Sequence, residues 1–256
     1  MTTPTSTPIA LITGGSRGLG KSMARHLAAA GTDVIFTYRA AAAEAEAVRA
    51  ELQALGRTAV ALQLDVADSA GFAGFAATVA AELERTWHRP RFDFLINNAG
   101  GALHAGVAEV TEAQLDLAYQ VHVKAPVLLT QRLLPLLNDG GSILNVSSGL
   151  ARFTVAGSGG YAAMKGAVEV FTRYLAKELA PRQITANVIA PGAIATDFGG
   201  GMVRDNPGVN QLVTSMTALG RVGQPDDIGA AVAMLLGPGR RWMTGQRIEV
   251  SGGMNL

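Results

Sequence analysis

The chain has 256 residues and 48% hydrophobic content, enough to bury one substantial core. Its 21 basic and 20 acidic side chains leave a net charge of +1 with the cations scattered, which argues against a nucleic-acid footprint or a polybasic membrane patch. The lack of cysteine excludes disulfides, thiolate metal sites and a cysteine nucleophile, and no run is apolar enough for a bilayer span. The opening MTTPTSTP is polar and lacks the basic and apolar regions of a secretory signal, so residues 1–8 read as a disordered tail and 9–256 as one cytoplasmic domain. Short β-branched runs alternating with helical stretches predict an α/β fold, a doubly wound parallel sheet of about seven strands with helices on both faces. Strands are expected at Ile9 to Thr13, Val34 to Tyr38, Ala59 to Leu64, Phe94 to Asn97, Ile143 to Ser147, Ile184 to Ile189 and Arg247 to Val250. Helices are expected at Leu19 to Ala30, Ala40 to Leu55 and near 112–137, 161–180 and 226–236; none is predicted between Asp65 and Phe94. In such sheets ligands sit beyond the carboxyl ends of the strands, where strand order reverses.

Tyr161 and Lys165 stand four residues apart, on one face of a helix, with Ser148 thirteen positions (161 − 148) before the tyrosine. A phenol with a pKa near 10 needs roughly 4 kcal/mol of phenolate stabilisation to work near neutrality. A lysine charge some 4 Å away supplies about that much. A serine hydroxyl can then polarise a carbonyl oxygen while the tyrosine protonates it. The loop Thr13-Gly14-Gly15-Ser16-Arg17-Gly18-Leu19-Gly20 lies between a strand and a helix, where glycines permit close approach and free N–H groups face a pyrophosphate.

These motifs, with LDV at 64–66, NNAG at 97–100, YAAMK at 161–165, PGAIAT at 191–196 and TGQRIEVSGG at 244–253, resemble those of the classical short-chain dehydrogenases/reductases along nearly the whole chain. The resemblance implies a Rossmann-type fold that binds a nicotinamide dinucleotide and transfers hydride to or from a carbonyl or alcohol carbon. It assigns Gly14, Ser16, Arg17, Gly18, Leu19 and Gly20 to cofactor binding, and Asp65 and Val66 to the adenine. Asn98, Ala99 and Gly100 fall along the ribose, and Pro191, Gly192, Ile194 and Thr196 at the nicotinamide end. Ser148 and Tyr161 act on the carbonyl; Lys165 lowers the tyrosine pKa and bonds the nicotinamide ribose. Tyr38 stands where NAD-dependent relatives carry aspartate, and Arg39 follows it. With Arg17 it offers two guanidinium groups to a 2′-phosphate, so the expected cofactor is NADP(H).

One residue departs from the family pattern. His122 occupies the place of an asparagine that in relatives helps hold a water linking the lysine to solvent. An imidazole can carry such a relay and can titrate near neutrality, or it can simply pack. The substrate side is less legible. After Thr196 the run 197–215, with three consecutive glycines, reads as a mobile lid in which regularity returns at about Gln211. Gly149, Leu150, Ala151, Phe153 and Ala193 are expected as pocket walls, and they suit a neutral, fairly apolar ketone or aldehyde. The alternatives are a 3-oxoacyl-carrier-protein reductase, for which Arg173 and Arg182 would form a basic rim, and a non-catalytic cofactor-binding sensor or scaffold. Leu117, Val168 and Phe171 on the outer faces of two helices predict a homotetramer or homodimer.

Overall fold

The computed structural model describes residues 7–256. Of the tail expected over 1–8, the first six residues lie outside the described residues, while Thr7 and Pro8 are tied down. The Pro8 carbonyl accepts from Asp33 N at 2.8 Å, and that of Thr7 from Arg89 Nη1 at 3.2 Å.

A seven-stranded parallel sheet forms the centre, in the order β3-β2-β1-β4-β5-β6-β7. The strands are β1 (Ile9–Ile12), β2 (Asp33–Tyr38), β3 (Ala59–Gln63), β4 (Phe92–Asn97), β5 (Leu137–Val146), β6 (Thr185–Pro191) and β7 (Arg247–Val250). The helices are α1 (Gly18–Ala29), α2 (Ala42–Ala54), α3 (Phe72–Trp87), α4 (Glu112–Tyr119), α5 (Ala125–Leu133), α6 (Gly159–Glu178), α7 (Met202–Asp205), α8 (Pro207–Met216) and α9 (Pro225–Leu235). Every residue of β1 is buried, and the period of two divides them between faces. Ala10 and Ile12 join a core with Met23 and Leu27 of α1, Val48 and Leu52 of α2, and Ile228 and Val232 of α9. Ile9 and Leu11 join another with Phe72, Phe75, Val79 and Leu83 of α3, Leu129 and Leu133 of α5, and Leu175 of α6. Strand order reverses at β1, so the loops after β1 and β4 flank a crevice.

Several expectations change. Helix α3 fills the stretch for which no element was predicted; its apolar residues fall at helical spacing, but alanines dilute the stripe. The helix expected near 112–137 is α4 and α5 joined by a π turn over Gln120–Lys124, with a 3-10 turn over Leu134–Leu136 carrying it to the start of β5. Strand β5 then begins at Leu137 rather than Ile143, with a register break opposite Phe92 and Phe94. In the expected lid, helix returns at Met202 and continues from Pro207, well before Gln211. Asn206 caps α8 by accepting from Val209 N at 3.1 Å, and Pro207 supplies a first-turn residue without an N–H. Val168 is buried and Phe171 packs against the core, so neither lies on an outer face. The exposed apolar side chains of α4 and α6 are instead Leu117, Tyr119, Val170 and Tyr174. No helix of the described residues is long and apolar enough to cross a membrane.

Candidate active site

The glycine loop after β1 is shaped by close contacts. Gly14 and Gly18 have φ of +68° and +52°, values that disfavour any side chain. A Cβ on Gly20 would stand 2.1 Å from the Gly14 carbonyl oxygen, and one on Gly14 would stand 3.0 Å from Ala99 Cα. Helix α1 starts at Gly18 without a side-chain cap and without an acidic residue in its first turn. Its free N–H groups and the positive end of its dipole therefore face outward into the crevice, a cradle that fits a pyrophosphate. Ser16 is half-buried at the rim of this loop, whereas Leu19 turns back to pack on the core.

Three short polar side chains that sequence reasoning did not assign fix this loop and the strand ends beside it. Thr13 Oγ1 accepts from the amides of Asn98 and Ala99 at 2.9 and 3.0 Å. Thr37 Oγ1 accepts from Gly14 N at 3.0 Å. Asn97 Nδ2 donates to Asn145 Oδ1 at 2.8 Å and to Thr130 Oγ1 at 3.1 Å, joining β4 to β5 and α5. Their signal was a polar residue at the end of an otherwise apolar strand. Asn98, expected along the ribose, donates from Nδ2 to the carbonyls of Thr13 (2.9 Å) and Gly14 (3.1 Å), so its amide braces the glycine loop.

Arg17 and Arg39 are both exposed and neither guanidinium is paired with a carboxylate among the described residues. Arg39 lines a surface pocket with Leu64 and Asp65 at the end of β3, and Tyr38 lies half-buried beside it. Asp65 Oδ1 accepts from Ala67 N at 2.9 Å, a local turn that fixes the loop; Val66 packs on the core beneath. On the far side, Pro191 ends β6 and Gly192 lies against Ser251, where a Cβ would meet Ser251 Cα at 2.9 Å. Ile194 bridges to Gly223, and Thr196 is buried opposite Gly18, 3.8 Å from the position of a Cβ there. The loop after β6 thus closes over the glycine loop.

The catalytic candidates converge at the ends of β4 and β5. Ser148 follows β5, and its Oγ accepts from Leu150 N at 3.2 Å, capping a short turn. Tyr161 and Lys165 enter from one face of α6, both buried. Lys165 Nζ donates to the Val146 carbonyl at 2.8 Å and lies 5.5 Å from the centre of the Tyr161 ring. Burial brings the lysine pKa down to about 8. It also pushes the Tyr161 phenol above its ordinary value, against the smaller opposing effect of a hydrogen bond with Ser148. The lowering expected from Lys165 is absent: the ammonium is held toward a backbone carbonyl while the phenol is shut away from water. A phenol in this position keeps its proton until it has somewhere to send it.

His122 lies within the π turn, 3% exposed, with its ring edge-on to Tyr161 at 5.1 Å. Its Nε2 is 2.8 Å from the Gly101 carbonyl, which can only accept, so Nε2 carries the hydrogen and Nδ1 is left as an acceptor. Nδ1 is buried and has no hydrogen-bond partner among the described residues. Burial, with the nearby Lys165 charge adding to it, lowers the His122 pKa to about 3. The expectation that this ring titrates near neutrality is thereby corrected: it is neutral there. It also explains Gly100, where a Cβ would stand 2.8 Å from the imidazole Cε1.

On the lid side Tyr161 faces an aromatic side chain. Phe198 lies with its ring centre 6.0 Å from that of Tyr161 and is partly exposed. Sequence reasoning did not single it out, since nothing in the chain marks which lid residue turns inward. Phe153 and Ala193 pack with Val213 and Met216 of α8, Val222 and Met254 beneath the lid. Arg204 pairs with Asp197 and Asp205, strapping the three left-handed glycines Gly199, Gly200 and Gly201. Arg182 lies at the opposite end of the sheet, donating to Asp139 Oδ1 at 2.7 Å and to the Leu134 carbonyl at 2.9 Å, so it forms no rim of the cleft.

Residues 14–255 match the family described as Enoyl-(Acyl carrier protein) reductase. The tetrahydroxynaphthalene reductase PfmaG of Pestalotiopsis fici is 34% identical over 262 residues, covering 98% of this chain and 92% of the relative. A short-chain dehydrogenase/reductase from Serratia marcescens superposes with a TM-score of 0.90 at 31% identity, covering 99% of this chain and 100% of the other. The angucycline C-6 ketoreductase LanV, solved with bound NADP, gives a TM-score of 0.91 at 32% identity, covering 97% of this chain and 95% of LanV.

Proposed function

The chain belongs to the short-chain dehydrogenase/reductase family, and from that membership we propose that it reduces the carbonyl of a neutral, apolar ketone or aldehyde with NADPH. It is an oxidoreductase, and its cofactor is NADP(H). The glycine loop and the start of α1 would hold the pyrophosphate; Arg17 of that loop and Arg39 after β2, neither paired with a carboxylate among the described residues, would hold the 2′-phosphate. Asp65 and Val66 would border the adenine, Asn98 to Gly100 the ribose, and Pro191 to Thr196 the nicotinamide end. Bound NADPH supplies the hydride.

The remaining chemistry is the chain's own. Ser148 Oγ and the Tyr161 hydroxyl hold the carbonyl oxygen, and Tyr161 gives it a proton as negative charge develops there. Lys165, fixed by the Val146 carbonyl, supplies a positive charge close to the phenolate at the moment it forms. The free Nδ1 of neutral His122 accepts a hydrogen bond from water on the path that restores the proton, while Nε2 anchors the ring to Gly101. The single observation that carries this reading is the convergence of Ser148, Tyr161 and Lys165 at the strand ends beside a cradle only glycine can line. Phe198 beside Tyr161, with the apolar cluster of Phe153 and Ala193 beneath the lid, supports a largely apolar substrate; the relatives PfmaG and LanV are named for tetrahydroxynaphthalene and for an angucycline. Arg182, turned away from the cleft, would take no part in the basic rim that an acyl-carrier-protein substrate calls for.

The exposed Leu117, Tyr119, Val170 and Tyr174 support a homodimer or homotetramer built on α4 and α6. Turnover with NADPH and NADH over a panel of fused-ring and acyclic ketones tests the activity. NADPH-dependent loss of the ketone with alcohol formation is the expected result, and binding of NADPH without reduction of any ketone would move the protein to the sensor class.

A further inference from the structure

Tyr161 and Lys165 are the first two members of a stripe on α6 whose third, at the same four-residue step, is Glu169. Its carboxylate is 13% exposed and its Oε1 accepts two hydrogen bonds, from Ser147 Oγ at 2.6 Å and from Arg247 Nε at 2.8 Å. Arg247 spends each of its guanidinium nitrogens on a different partner. Nη1 donates to Glu249 Oε2 at 2.8 Å, two residues along the same face of β7, and Nη2 donates to the backbone carbonyl of Ser148 at 3.3 Å. Glu249 in turn receives a bidentate pair from Arg152, at 2.6 and 2.7 Å. Arg152 finally donates to the carbonyls of Met254 and Asn255 at 2.8 and 3.1 Å. An alternating chain of four charges therefore runs from the two serines after β5, along the edge of β7, to the C-terminal residues.

Those terminal residues are themselves fastened to the lid. Met254 bridges to Thr217 at the end of α8, Asn255 N donates to the Met216 carbonyl at 3.0 Å, and the Met254 side chain is buried against Val213. Neither Glu169 nor Arg247 touches the position of a reacting atom. What they touch is the Ser147 hydroxyl and the Ser148 carbonyl, one on each side of the Ser147–Ser148 peptide, whose setting decides where Ser148 Oγ points.

We propose that Glu169 and Arg247 are positioning residues that fix the catalytic serine from its backbone side, and that Glu249 and Arg152 tie this serine to the C-terminal tail and so to the lid. This rests on the carbonyl-reductase reading, since it assigns Ser148 a part in holding the carbonyl oxygen. Four hydrogen-bonded charges in a partly shielded row hold a loop more firmly than isolated surface pairs do. The hold on Glu249 is visible in its carboxyl, kept down to about 2 by the Arg152 hydrogen bonds first, with Arg247 and Ser251 adding to them.

The test measures kcat and KM for a reduced ketone, and NADPH affinity by fluorescence titration, in Arg247→Met, Arg247→Lys, Arg152→Met and the double variant Arg152→Met/Arg247→Met. Misplacing a catalytic group by a fraction of its reach costs roughly tenfold to a hundredfold, so Arg247→Met should lose that much kcat with NADPH affinity within about twofold of the parent. Arg247→Lys should recover part of the loss through the Glu169 contact. Because both arginines act through one chain, the double variant should be scarcely slower than Arg247→Met alone. Should Arg247→Met fail to fold, Arg152→Met, on a more exposed side chain, gives the same reading, a lower kcat at unchanged NADPH affinity. Parent-like kcat in the folded arginine variants, or loss of kcat and NADPH affinity in parallel, overturns the proposal. A parent protein that binds NADPH and reduces no ketone defeats the functional reading instead, so the two failures are distinguishable.

Discussion

The two halves of the site are built by different means. The cofactor half, from β1 to β4, is a backbone surface: glycines at positive φ, a bare helix start, and small polar side chains beneath them, with Thr13 and Thr37 almost wholly buried. The substrate half, from Ser148 through the lid to the C-terminus, is held by long side chains that reach across the sequence, as Arg152 does to Glu249 and Arg247 to Glu169. A cofactor that never changes suits a rigid cradle with no tolerance for an added atom. The lid itself, closed by the exposed Arg204 pairs and three left-handed glycines, can be re-shaped with little cost to the fold, since such pairs contribute only about 0–1 kcal/mol each.

Separating chemistry from cofactor binding should give the largest effect. Tyr161→Phe removes the proton donor while leaving the cradle untouched, so kcat should fall by roughly a hundredfold to ten-thousandfold. Pre-steady-state absorbance should show this loss alongside unchanged NADPH affinity; a matching loss of affinity would mean that the halves are not separable. Gly20→Ala attacks the other side. Its Cβ would press on the Gly14 carbonyl, so NADPH binding should collapse and thermal unfolding should report a loss of about 1–3 kcal/mol, as overpacking does.

A smaller effect separates the rim of the cradle from its floor. Losing charge-assisted bonds of roughly 1.5–3 kcal/mol, Arg39→Asp should weaken NADPH roughly tenfold to a hundredfold and leave NADH unchanged or improved. Equal weakening of both in calorimetry would show that Arg39 does not read the 2′-phosphate.

The smallest effect is a pH dependence. Lys165 loses its proton at about 8 in the folded protein, below the ordinary lysine value of 10.5. Reduction should therefore be level below about 8 and decline above it as the ammonium charge is lost. Between about 8 and 10.5 the unfolded chain holds more protons at this site, so its contribution to stability rises with pH over that window. His122, with its pKa near 3, should add no inflection in the neutral range, and His122→Asn should leave the profile there unchanged. An inflection near 6 that disappears in His122→Asn would show that the ring is charged during turnover.

The legibility of the two halves follows the same division. The glycine loop, NNAG, Ser148 and the Tyr161/Lys165 pair could be read because each is a local pattern whose spacing has a geometric consequence. The alternation of strands and helices was equally local, though α3 escaped notice where alanines diluted its apolar stripe. Outer faces were read less well: Val168 and Phe171, taken as exposed, point into the core, because a helix packed on a sheet and on its neighbours buries more than one stripe.

By itself the sequence determined the family resemblance, the alternation of strands and helices and the candidate residues for the chemistry, since these are read from local patterns and their spacing. Only the tertiary structure decided the protonation of His122, the direction in which burial moves Tyr161, the turn of Arg182 away from the cleft and the charge chain behind Ser148. Each of these depends on how far water is excluded from a group and on what side chain arrives from a distant segment. Desolvation and long-range contact have no signature in local spacing, which is why the fold had to be seen before they could be known.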